Sequence, residues 1–137
     1  LQMLVYPSVQ TRMETASYRA FADVGLLDRP LMAWFERHNH LGPLAAHWHR
    51  EPLFAPSHRD VAPAWVGLAE CDVVTDEGVA YAERLQQAGV PVTLRVWDGM
   101  VHDFINMGRF LPAAKQAHQE MAAALAQALG TTHLARL

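Results

Sequence analysis

Two residues stand where an acid and a base can work as a pair. Asp72 lies two positions past an apolar run, AWVGLAE at 64–70. His102 lies five positions past an alternating run, VTLRVW at 92–97. If both runs are neighbouring parallel strands, their carboxyl ends bring the two side chains together. Ligands of open α/β sheets gather at those ends. An aspartate there would hold the imidazole Nδ1–H and stabilise the imidazolium, the orienting pair of a nucleophilic hydrolase.

Other chemistry-bearing residues have plainer readings. His38, His40, His47 and His49 form H-x-H twice, with no carboxylate or cysteine between them. Neutral imidazoles at that spacing can hold zinc, nickel or copper. Gly42 and Pro43 inside the cluster point instead to a polar loop near a pocket mouth, and no metal is assigned. Cys71 has no histidine near it in sequence and reads as buried filler. Asp76 and Glu77 read as first-turn helix charges, and Asp98 as a turn residue.

The elements that must position Asp72 and His102 follow from periodicity. Residues 1–6 are apolar, stop at Pro7 and read as a buried strand. Residues 8–29 read as loop with one short helix. Pro30 suits a first helical turn, and Leu31, Met32, Trp34 and Phe35 give a short apolar helix to about His38. Residues 39–63 hold four prolines and read as a long connection. Residues 64–70 read as a buried strand. Val79, Ala82, Leu85 and Ala88 space as one helix face, stopped by Gly89 and Pro91. Val92, Leu94 and Val96 alternate as a strand. Pro112 opens a last helix, with Ala114, Ala117, Met121, Leu125 and Ala128 on its apolar face and Gly130 at its end. The tail 131–137 reads as frayed.

The order strand, excursion, strand, helix, strand, helix predicts an α/β fold with a parallel sheet of about three strands flanked by helices. The first strand is very apolar for a sheet edge, which implies a neighbour. The chain opens at Leu1, inside an apolar run, and is expected to be part of a longer chain.

Composition narrows the classes. The chain has 137 residues, 51% hydrophobic and 18% charged, which excludes a disordered or low-complexity chain. Net charge is −3 and Lys115 is the sole lysine, so neither a nucleic-acid surface nor a polybasic membrane surface is expected. No apolar run approaches membrane-spanning length. A single cysteine excludes an internal disulfide and leans towards a reducing, cytoplasmic setting.

The strand-end motifs resemble the hormone-sensitive-lipase-like carboxylesterases, a family of α/β-hydrolase fold. That family carries E-x-D-x-L-x-D-E-G after a strand; here residues 70–78 read ECDVVTDEG. A helix of type Y-A-x-x-L-x-x-A-G-V matches residues 81–90, and D-G-x-x-H-x-F matches residues 98–104. Y-P matches Tyr6-Pro7, W-F matches Trp34-Phe35, and P-L matches Pro52-Leu53. Departures are Val73-Val74 where the family has P-L, and Asp103 where it has glycine. Asp103 puts a second carboxylate beside His102, expected to raise the imidazole's pKa or compete with Asp72 for it. The family's G-x-S-x-G elbow and H-G-G-G loop have no counterpart here, and Ser8, Ser17 and Ser57 lie outside any such motif.

The resemblance implies that residues 1–137 are the C-terminal portion of one α/β-hydrolase domain. Residues 26–63 would be the excursion near the pocket, and 64–130 would carry acid and histidine. It implies Asp72 as triad acid, His102 as triad histidine, small acyl esters as substrates and no cofactor. Leu31, Trp34 and Phe35 either line an acyl pocket or form a plain apolar helix face. As these residues stand, little activity is expected from them alone, and a missing N-terminal half or self-association is expected. The alternative class is a non-catalytic α/β module that self-associates through its first strand.

Overall fold

The computed structural model describes residues 1–39 and 48–130. In chain order the elements are β1 (Gln2–Val5), α1 (Ala16–Phe21), α2 (Arg29–His38), β2 (Ala64–Cys71), α3 (Thr75–Gln87), β3 (Val92–Val101) and α4 (Pro112–Ala128), with short 3₁₀ turns at Pro52–Phe54 and Phe104–Met107. The sheet is parallel throughout, in the order β1-β2-β3. Parallel strands need crossover connections, and α3 supplies the one between β2 and β3.

Both faces of the sheet are covered, so the central strand is apolar on both sides rather than alternating. On one face Ala64, Val66 and Leu68 pack with Ala82, Leu85 and Val90. Gly78 lets α3 approach closely there; a Cβ at that position would lie 2.5 Å from Leu68 Cδ2. On the other face Trp65, Ala69 and Trp97 pack with Phe104, Ala114 and Ala117. Polar caps begin the helices over the excursion: Thr15 Oγ1 accepts from Tyr18 N–H, and Asp28 Oδ1 accepts from Leu31 N–H.

The structure departs from the sequence expectations in local ways. β1 is half-buried rather than buried, because it pairs with β2 on one side only among the described residues. β3 runs past the alternating stretch to Val101, taking in Asp98. Cys71 is half-buried rather than core. Glu77 stands in the first turn of α3, as its helix-start reading has it, and is buried there. Two of the four clustered histidines, His40 and His47, lie outside the described residues, as does the tail 131–137.

Candidate active site

Three adjacent strand ends deliver three side chains to one place. Tyr6 follows β1, Asp72 follows β2 and His102 follows β3. His102 Nδ1 lies 2.6 Å from Asp72 Oδ2. The Asp72 side chain is 1% exposed and that of His102 is 26% exposed. Val74 N–H donates to the other carboxylate oxygen, Oδ1, at 3.2 Å. A carboxylate only accepts, so the Nδ1 proton sits on the imidazole and Nε2 is left as a base.

Asp103 does not compete for the imidazole. Its Oδ1 accepts from Asn106 Nδ2 at 2.5 Å. Its φ is +66°, the left-handed region that favours glycine and that aspartate tolerates better than most residues. The expected second carboxylate is thus turned into the next turn of chain.

His102 opens on a cavity of about 330 Å³. One stripe of α2 and its C-cap lines it: Met32, Phe35, Glu36 and Asn39, at helical spacing. Of the three residues proposed from sequence, Phe35 lines this cavity. Leu31 and Trp34 are not among its lining residues and stand 37% and 46% exposed. Trp34 packs instead against His38, with ring centroids 4.2 Å apart. Arg50, paired with Glu36, adds a polar edge to the cavity. Among the described residues no group of three or more His, Cys, Asp or Glu is arranged to hold a metal ion.

Tyr6 is a site residue that sequence reasoning left as a motif letter. Its ring lies 4.9 Å from the His102 ring and 5.8 Å from Phe104. Its φ is +47°, a strained value for an aromatic residue. Such strain persists where the surroundings over-determine it. Here Tyr6 N–H donates to Gly67 O at 2.9 Å, and Val9 N–H donates to Glu77 Oε1 at 2.8 Å. Burial pushes the Tyr6 phenol up, so it stays neutral. The signal available in sequence was its place at a strand end beside the other two.

Comparisons with known proteins agree with the fold. The family described as the alpha/beta hydrolase fold matches residues 1–106. An ethyl acetate hydrolase of Pseudomonas putida is 35% identical over 94% of this chain and 41% of its own length. Carboxylesterase NlhH of Mycobacterium tuberculosis is 34% identical, over 93% of this chain and 41% of its own. The solved esterase of Pyrobaculum calidifontis superposes with a TM-score of 0.86 at 31% identity, covering 93% of this chain and 43% of that one. The chain therefore spans about two fifths of the relatives it matches. No helix among the described residues is long and apolar enough to cross a membrane. The parallel sheet and these relatives agree, and the chain belongs to the alpha/beta hydrolase fold family.

Proposed function

We propose that this chain supplies the acid and the histidine of a carboxylic ester hydrolase, as the C-terminal portion of one hydrolase domain. The observation that carries the reading is the 2.6 Å contact from His102 to a carboxylate removed from solvent, at the mouth of a cavity. In the mechanism a serine attacks the ester carbonyl while His102 Nε2 takes its proton. The same nitrogen then protonates the leaving alcohol, and afterwards activates the water that frees the acid. Asp72 holds the ring and balances the imidazolium charge. Phe35 and Met32 would meet the apolar part of a small acyl ester; Leu31 and Trp34 contribute to helix α2 rather than to the cavity wall.

The nucleophile and the backbone donors for the oxyanion have to come from outside residues 1–137, where no serine stands in G-x-S-x-G. Intact-mass spectrometry after fluorophosphonate treatment tests this. The 137-residue chain alone is expected to take no adduct. The same residues joined to an upstream part bearing such a serine are expected to take one adduct and to hydrolyse esters. An adduct on the isolated chain, or no adduct on the joined protein, overturns the assignment.

One observation favours a second reading, self-association. The outer edge of β1 pairs with no other described strand, and Met3, Leu4 and Val5 along it are half-buried on the two sheet faces. An open apolar edge is a template for another strand. Light scattering of the 137-residue chain at micromolar concentration is expected to give a dimer or larger species, and a monomer would remove this reading.

A further inference from the structure

We propose that Glu70 is a positioning residue, whose carboxylate pins the turn in β3 that sets His102 level with Asp72. The proposal rests on the acid–histidine reading above. From Ala64 to Ala69, β2 faces Val92 to Trp97 of β3 in constant register. Past Ala69 the register slips, and Cys71 faces Val101. Over this stretch β3 therefore uses two residues more than β2. Had the first register continued, Met100 would stand beside Asp72. His102 would lie two residues further along the strand, roughly 7 Å away. The two side chains would then have to reach diagonally across the strands instead of lying side by side. The slip is thus the local feature on which the pair depends.

Gly99 lies within the slip. Its φ is +68°, a conformation that glycine adopts freely and other residues resist. Its N–H donates to Glu70 Oε2 at 2.6 Å. Glu70 itself stands between Ala69 and Cys71, at the point where the two strands lose register. A donor bound to a carboxylate is held more strongly than one bound to a neutral oxygen. The side chain of one strand thus fixes the extra residues of the other, and the fixed residues lead into His102. Glu70 is exposed and belongs to neither apolar face of the sheet, so its removal leaves the core packing in place.

The first readout needs no nucleophile. In proton NMR spectra of the 137-residue chain, the His102 Nδ1 proton bound to Asp72 gives a downfield resonance. Glu70→Ala is expected to broaden or remove it while the methyl and amide spectra stay folded. Glu70→Gln keeps an acceptor oxygen and is expected to keep the resonance. In a protein that unites these residues with a nucleophile, Glu70→Ala is expected to lower kcat about tenfold with KM little changed, and Glu70→Gln to recover most of it. A Glu70→Ala chain with resonance and kcat intact overturns the proposal, and so does Glu70→Gln failing as fully as Glu70→Ala. A wild-type resonance with no ester turnover in the joined protein overturns the esterase reading alone. A wild-type chain without the resonance overturns both.

Discussion

Replacing His102 with alanine is expected to lower kcat for ester hydrolysis by about 1,000- to 10,000-fold, with KM little changed, in a protein that joins these residues to a nucleophile. His102 is the sole imidazole on the cavity wall among the described residues, so no neighbour takes over its proton transfers. The substitution also takes away the imidazole partner of the buried Asp72 carboxylate and leaves it the bond from Val74 N–H. Asp72→Asn is expected to cost a similar factor for a different reason. Val74 N–H donates to Oδ1, so the amide oxygen of asparagine takes that position. The amide NH₂ then faces His102 Nδ1 and forces the proton onto Nε2, the atom that must act as base. The double variant is expected to be no slower than either single one, because the two residues act as a unit. Steady-state kinetics on a short-chain ester check all three. Either single variant keeping more than about a tenth of wild-type kcat would remove the acid–histidine assignment.

Much of this site was legible because its signals are local. Asp72 and His102 each follow a strand that period-2 or continuous apolar patterning reveals, and the flanking glycines and acids give their loops a recognisable spacing. The helices over residues 75–87 and 112–128 declared themselves by apolar spacing and by Pro112. What stayed hidden depends on partners far along the chain. The slip opposite Ala69 and Cys71 exists only once two strands are in register. Trp34 and Phe35 are equally aromatic, and only the docking of α2 decides that Phe35 meets the cavity while Trp34 meets His38. Asp103 reads as a rival to Asp72 until its left-handed backbone turns it towards Asn106. Glu77 reads as a helix-start charge, and only the fold shows that Ser8, Val9 and Gln10 pack on its carboxyl.

The burial of Glu77 gives the fold a pH dependence of its own. Its carboxyl is pushed from the usual 4.5 up to about 7, chiefly by removal from solvent and in spite of the bond from Val9 N–H. A group with a raised folded-state pKa holds its proton more tightly when folded. Its contribution is therefore complete below 4.5 and is lost as pH rises through 7. The shift corresponds to about 3 kcal/mol, a large part of the stability of a small domain. Urea unfolding of the 137-residue chain is thus expected to show stability falling between pH 5 and pH 8. Glu77→Gln keeps an oxygen for Val9 N–H and carries no charge at any pH. Its curve is expected to be flatter, close to wild type at pH 5 and above it by about 2–3 kcal/mol at pH 8. The two proteins differ only at this residue, so the difference between the two curves isolates Glu77. Parallel curves across that range would show that Glu77 is ionised in the folded state throughout. The carboxylate would then be a clamp on Val9 from pH 5 upwards, and the strain at Tyr6 would owe its support to a charge rather than to a neutral hydrogen bond.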